Sequence, residues 1–174
     1  IKVAFSPDGK HFASGGKGTK LWDFATKKEL RTFDDLVALS ITFSPDGREF
    51  IYGGRGKDSI KIFDTATGRT IKDFKLQPDA VYSIAHSPDG RYVISGCGDS
   101  GLTLWNHSSG TSIKQVVVGS GSTGRIVRTV AFSPDGKYAL SGGGNNSVIL
   151  WNAKDLTRVK EFSGHTGVSG ILWC

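Results

Sequence analysis

Short apolar segments alternate with polar and glycine-rich turns along the whole chain, and no stretch shows a convincing helical period. Turn signals recur about every 8–12 residues, which is typical of a protein built from strands alone. Four of the segments, at residues 3–5, 41–43, 84–86 and 130–132, are each followed by the tetrapeptide Ser-Pro-Asp-Gly. The pattern therefore predicts an all-β fold assembled from a repeated unit.

The tetrapeptide has the chemistry of a tight hairpin turn. Proline presets φ at the second position, Asp suits the third, and glycine adopts the left-handed conformation that closes the turn. An aromatic residue followed by Asp or Asn comes 16–19 residues after each serine. These aromatic landmarks are Trp22, Phe63, Trp105 and Trp151. Two landmarks that keep their spacing four times over define four repeats.

Each repeat has the pattern of four strands. The second strands are predicted at residues 11–14, 49–52, 92–95 and 138–141, and the third strands, which end on the aromatic landmarks, at 19–22, 59–63, 102–105 and 147–151. A fourth strand follows a polar turn, as at residues 69–74. One four-stranded sheet of about 40 residues cannot bury both of its faces, whereas copies stacked around an axis can. We therefore predict a β-propeller whose blades are the repeats.

The two landmarks together resemble the repeats of the WD-repeat family, and the resemblance covers essentially the whole chain. It divides residues 1–174 into units at approximately 1–37, 38–80, 81–126 and 127–167, with a partial fifth unit at 168–174. The resemblance implies a ring of about seven blades. Because the chain starts at Ile1 and contains no methionine, we expect a fragment whose remaining blades come from the same parent chain.

Family repeats often carry a hydrogen-bond network of His, Ser, Asp and Trp. The resemblance implies that Ser14, Ser95 and Ser141 would join the tryptophans in this network. The family's His positions in the complete units are occupied by Asp35, Pro78 and Gly124; His165 fills that position in the last unit, and Asp99, with Asn145 as a near substitute, fills the Asp position. No unit holds the full set, so we expect strand pairing and packing to carry most of the stability.

The residues that imitate catalytic motifs are better explained as turns. Residues 119–124 match the GxGxxG dinucleotide pattern, but a strand rather than a helix is predicted to follow. Residues 98–101, Gly-Asp-Ser-Gly, resemble a serine-nucleophile string, yet no histidine is placed by the repeat to act as its base. No His, Cys or carboxylate set has metal-ligand spacing. We expect a non-enzymatic chain without cofactor or metal.

The cysteines and the hydropathy of the chain indicate the cellular compartment in which we expect the protein. Cys97 and Cys174 provide neither a disulfide framework nor a metal-binding pair. The chain has no apolar run near the ~20 residues that span a bilayer, and no secretory leader. We expect reduced thiols, no membrane association and a cytoplasmic protein.

The formal net charge is +6, with lysines and arginines scattered rather than in blocks. The resemblance implies that partners dock on the face formed by the loops that enter the innermost strands and by the turns between second and third strands. That face would carry Lys17, Arg55, Lys57, Tyr82, Arg125 and Arg128, along with Leu39 and Ser169. We therefore expect a non-catalytic scaffold for protein or peptide partners. The alternative is binding of RNA or another nucleic acid through a basic propeller face.

Overall fold

The computed structural model describes residues 1–33, 36–55, 60–74, 80–99, 101–119, 125–144 and 146–165. Within them the regular elements are strands, and no helix long and apolar enough to cross a membrane is present. Blade 1 contains β1 (Lys2–Phe5), β2 (His11–Gly16), β3 (Gly18–Asp23) and β4 (Glu29–Phe33). Blade 2 contains β5 (Ser40–Phe43), β6 (Glu49–Gly53), β7 (Ile60–Asp64) and β8 (Thr70–Phe74).

The second half of the chain repeats this arrangement. Blade 3 contains β9 (Val81–His86), β10 (Tyr92–Cys97), β11 (Leu102–Asn106) and β12 (Ser112–Val116). Blade 4 contains β13 (Val127–Phe132), β14 (Tyr138–Gly143), β15 (Val148–Asn152) and β16 (Arg158–Phe162). Each blade is one antiparallel sheet with its strands in chain order. The all-β fold predicted from the repeats is confirmed.

The Ser-Pro-Asp-Gly turn is built as its sequence predicts. In blade 3 the Ser87 hydroxyl donates a hydrogen bond to Asp89 Oδ1 (2.6 Å) and accepts one from the backbone N–H of Tyr92 (2.9 Å). Gly90 has φ 73°, a left-handed conformation that favours glycine. The same bonds recur in the other three turns. The tetrapeptide therefore satisfies its own polar groups and fixes the hairpin that joins the first two strands.

The aromatic landmark of the third strand pairs with a serine of the second strand. The indole N–H of Trp105 donates to Ser95 Oγ at 2.9 Å, and the equivalent bonds occur in blades 1 and 4. In blade 2, Phe63 replaces the tryptophan and Tyr52 replaces the serine. A phenylalanine has no N–H to satisfy, so the serine is not needed there. This part of the family network is confirmed.

Three of the four landmarks also pack against the preceding blade. Trp105 of blade 3 stacks on Phe74 of blade 2, with ring centroids 5.3 Å apart. Phe63 and Trp151 are likewise buried against the blades before them. Trp22 is only half-buried, unlike the other three landmarks. The reason is that blade 1 has no preceding blade among the described residues.

Glycines in the second strands allow the blades to approach closely, a role that the sequence did not reveal. A Cβ atom added at Gly15 would lie 2.3 Å from Cβ of Ala38, and one at Gly96 would lie 2.9 Å from the carbonyl oxygen of Val127. Gly53 has a similar close neighbour in the next blade. These glycines of the second strands are therefore packing residues at the seams between blades.

Candidate protein-binding face

The antiparallel order of the strands gives the blades two different faces. The turn face carries the tetrapeptides and the turns between third and fourth strands. The loop face carries the turns between second and third strands and the connections between blades. Lys17 and Arg55 follow second strands, and Arg125 precedes β13. Tyr82 and Arg128 lie near the start of β9 and β13, so all five residues belong to the loop face.

Arg128 and Tyr82 come from neighbouring innermost strands and contact each other. The guanidinium carbon of Arg128 lies 6.0 Å from the centroid of the Tyr82 ring, at the edge of the cation–π range. A serine ties the same two strands together, because the backbone N–H of Val130 donates to Ser83 Oγ at 3.1 Å. The preceding pair of innermost strands has the equivalent bond. The strands therefore place Arg128 and Tyr82 on a rigid base.

Four cations of the loop face lack carboxylate partners within the described part of the chain. Lys17, Arg55, Arg125 and Arg128 are exposed, and none of the described ion pairs involves them. An arginine without an internal partner keeps its five N–H donors for solvent or for a ligand. The loop face can therefore offer several donors, together with the ring of Tyr82.

On the turn face, by contrast, four cations have carboxylate partners. The cation after each tetrapeptide lies 3.6–3.9 Å from the aspartate two residues earlier, in the pairs Lys10–Asp8, Arg48–Asp46, Arg91–Asp89 and Lys137–Asp135. The serine hydroxyl, and then the backbone N–H two residues after the aspartate, hold the pKa of each of these carboxyl groups below its ordinary value. The cations that follow the tetrapeptides are therefore paired within their own hairpins.

Other residues that the sequence singled out fall elsewhere. Leu39 is half-buried in the connection that enters β5. Asp99 is exposed, and the network role implied for it stays a prediction. His165 is exposed as well. Lys57, Ser169, Cys174 and the network positions Asp35, Pro78, Gly124 and Asn145 lie outside the described residues.

The strings that imitate catalytic motifs fall partly outside the residues that the structure describes. Ser100 and most of residues 119–124 lie outside the described residues. Cys97 is buried, and its thiol donates to Ser95 Oγ at 3.8 Å. Among the residues that the structure describes, no group of three His, Cys, Asp or Glu side chains is placed to hold a metal ion.

A known protein family has a model that matches this chain. The model described as "WD domain, G-beta repeat" matches residues 1–23, 68–106 and 112–152, together more than half of the chain. The matched residues leave out most of blade 2, where Phe63 and Tyr52 replace the usual pair. That blade nevertheless has the same four-stranded sheet as its neighbours.

Curated relatives match parts of the chain. Human striatin-3 is 40% identical over 57 residues, which cover 33% of this chain and 7% of striatin-3. Human striatin is 39% identical over 56 residues, covering 32% and 7%. Small ribosomal subunit protein RACK1 of Drosophila melanogaster is 32% identical over 122 residues, covering 61% of this chain and 36% of RACK1. The chain thus spans well under two thirds of each relative. With its four blades and the matched repeats, the chain belongs to the WD-repeat family of β-propellers.

Proposed function

We propose that this chain is a scaffold that binds a protein partner on its loop face, through Arg55, Tyr82, Arg125 and Arg128, without catalysing a reaction. The observation that carries the proposal is the placement of Arg128 over Tyr82 beside other cations that have no described carboxylate partner. Arg and Tyr are the residue types, with Trp, that most often dominate binding energy at protein interfaces.

The physical advantage of this face is that its donors are already free. A partner that pairs with Arg55 or Arg125 does not have to break an internal ion pair first. Arg128 rests on Tyr82, so less side-chain entropy is lost when a partner orders it. By contrast, a partner that approached Arg48 or Arg91 on the turn face would compete with the neighbouring aspartate.

A protein partner is favoured over RNA by the aromatic residues. Sequence-tolerant RNA binding relies on exposed aromatic rings that stack on bases. Within the described loop face Tyr82 is half-buried and lies beneath Arg128, so it is not an open stacking surface. The cations alone would give a binding surface whose affinity depends steeply on salt.

We also propose that further blades of the same parent chain cover the outer faces of blades 1 and 4. Val3 is 71% exposed, whereas Ile41, at the same position of blade 2, is 8% exposed. Leu140 is 40% exposed, whereas its equivalent in blade 3, Ile94, is completely buried. In the inner blades these positions are covered by a neighbouring blade, and exposed apolar patches of this kind mark contact surfaces.

The proposal that further blades cover blade 4 is tested by introducing a charged residue on its outer face. In the full-length protein, Leu140→Lys should destabilise the fold by about 2–4 kcal/mol, since it would bury a lysine. Ile113→Lys is the matched control because Ile113 is 45% exposed on an outermost strand. Equal melting temperatures for the two variants would show that the blade 4 face is open to solvent.

The partner site is tested by photo-crosslinking in the cells that make the full-length protein. A benzophenone side chain replaces Arg125 on the loop face or, as the control, Lys154 on the turn face. We expect a protein adduct from position 125 that is lost when Arg55 and Arg128 are both changed to Glu. The proposal fails if position 154 gives the same adduct, or if the material bound at position 125 is nuclease-sensitive RNA.

A further inference from the structure

Blade 3 places two histidines where the other blades have aromatic or small residues. The residue before the tetrapeptide and the second residue after the aromatic landmark face each other on the turn face. In blade 1 they are Phe5 and Phe24, whose ring centroids are 5.5 Å apart. In blade 3 they are His86 and His107, with centroids 4.8 Å apart. The equivalent pairs are Phe43 with Thr65 and Phe132 with Ala153. A titratable pair therefore replaces an uncharged one.

His107 also bridges blades 2 and 3. Its Nε2 lies 2.7 Å from Oε2 of Glu49, the first residue of β6. Both side chains are mostly buried, with 20% and 23% of their surfaces exposed. Lys72 of β8 reaches the same turn and donates hydrogen bonds to the carbonyl oxygens of His107 (2.8 Å) and Ser108. The seam between these two blades is thus closed on the turn face by polar contacts.

His86 is held in its neutral form by this geometry. Its Nδ1 lies 3.3 Å from the carbonyl oxygen of Ser87, which can only accept, so Nδ1 carries the proton. Its Nε2 is buried and has no hydrogen-bond partner among the described residues. A second proton on Nε2 would therefore lack an acceptor, and the charged ring would lie 4.8 Å from the ring of His107. Neutral His86 instead fills the place that phenylalanine fills in the other blades.

We propose that His86, His107 and Glu49 form an acid-sensitive joint between blades 2 and 3, closed while His86 is neutral and loosened when it is protonated. The other charged groups that act on this cluster are Asp46 and Asp89 of the tetrapeptides and Lys72. The Glu49 carboxylate is already engaged by His107. An imidazolium on His86 would be left without a contacting carboxylate among the described residues.

The pKa of His86 is shifted in the direction that this geometry implies. Burial, and then the neighbouring His107, lower the pKa of His86 to about 4, while the Ser87 carbonyl, Asp46 and Asp89 act in the opposite direction. The unfolded chain, with a histidine pKa of 6.5, binds more protons than the folded chain between these values. The stability that neutral His86 contributes is therefore fully present above pH 6.5 and is lost as the pH falls towards 4. Below pH 4 it changes no further.

Loosening this joint would alter the loop face too. Arg55 follows β6 of blade 2 and Tyr82 belongs to β9 of blade 3, so the two residues flank the same seam. This consequence rests on the proposed partner site, and it predicts weaker partner binding in acid. The proposal of the joint does not rest on the partner site, because its test measures stability without any partner.

The test compares the full-length protein with its His86→Phe variant, which carries the residue that the other three blades have at this position. Between about pH 7.5 and about pH 5, we expect the unfolding equilibrium constant to rise about 30-fold more in the natural protein than in the variant. His165→Ala, at an exposed histidine, should follow the natural protein. Parallel pH profiles for the natural protein and His86→Phe would overturn the proposal.

A second measurement does not depend on the variant folding. Histidine imidazole signals of the natural protein, followed by NMR across the same pH range, should show His86 titrating well below the ordinary histidine value of 6.5. In His107→Thr, which copies the threonine of blade 2, the pKa of His86 should rise because the neighbouring His107, which lowers that pKa, is removed. An ordinary titration of His86 in the natural protein would rule out the joint.

Discussion

The two faces of these blades use similar charged residues in different ways. On the turn face, Arg48 and Arg91 lie 3.9 and 3.8 Å from the aspartates two residues before them. On the loop face, Arg55 and Arg125 have no described carboxylate partner, and Arg128 lies on Tyr82. The turn-face charges support hairpins that recur in every blade. These three loop-face arginines form no ion pair with a described residue, which leaves them available to a partner.

The largest expected effect comes from reversing charge on the loop face. Changing Arg55 and Arg128 together to Glu should weaken binding of the purified partner by about 100-fold, because two donors become repulsive acceptors at the interface. The melting temperature should be nearly unchanged, since both residues are exposed. Calorimetric titration and thermal unfolding measure the two quantities.

The matched control is Arg48→Glu with Arg91→Glu on the turn face. It changes the same number of charges at exposed positions, and each broken surface ion pair is worth about 0–1 kcal/mol. Partner affinity should stay within about twofold of the natural protein. Equal losses of affinity in the two double variants would mean that only net charge matters, and the distinction between the faces would disappear.

Removing the hydroxyl of a turn-face serine should have a smaller effect. It should lower the stability of the fold and leave partner affinity unchanged. Ser87 is 2% exposed, and its hydroxyl both donates to Asp89 and accepts from the backbone of Tyr92. Ser87→Ala should lower the free energy of unfolding by about 1–2 kcal/mol while leaving partner affinity unchanged. Ser108→Ala, at an exposed position of the neighbouring turn, is the control. A loss of affinity in Ser87→Ala without loss of stability would contradict the structural role.

The smallest effect is expected from the tetrapeptide aspartates in acid. The serine hydroxyl and a backbone N–H lower the pKa of Asp89 below 3.8, so its contribution to stability is present above that value and is lost as the pH falls below it. Asp89→Asn should therefore flatten the decline of the melting temperature at the acid end. This window lies below the one expected for His86, so the two effects can be separated. An unchanged acid limb in Asp89→Asn would show that the carboxylate is not needed.

Local turn chemistry made the blades predictable from sequence. Ser87, Pro88, Asp89 and Gly90 satisfy each other within one hairpin, so their pattern survives in the sequence regardless of what lies beyond the blade. The spacing to the aromatic landmark survives for the same reason, since Trp105 bonds to Ser95 within one sheet.

Contacts between blades were not predictable in the same way. Gly96 approaches Val127, and Glu49 meets His107, across 31 and 58 positions of the chain. No local rule connects such residues, because their contact depends on how two sheets are stacked. The half-buried Trp22 has the same origin. The loop-face residues were found through the family resemblance, and their role in binding, like the expected cytoplasmic location, stays a prediction.

Hydrogen–deuterium exchange of the full-length protein with and without its partner tests the central claim most directly. The account predicts that partner binding protects backbone amides on the loop face, in the segments around Arg55, Tyr82 and Arg125, while the four tetrapeptide turns exchange at unchanged rates. Protection confined to the tetrapeptide turns, with no change on the loop face, would contradict it.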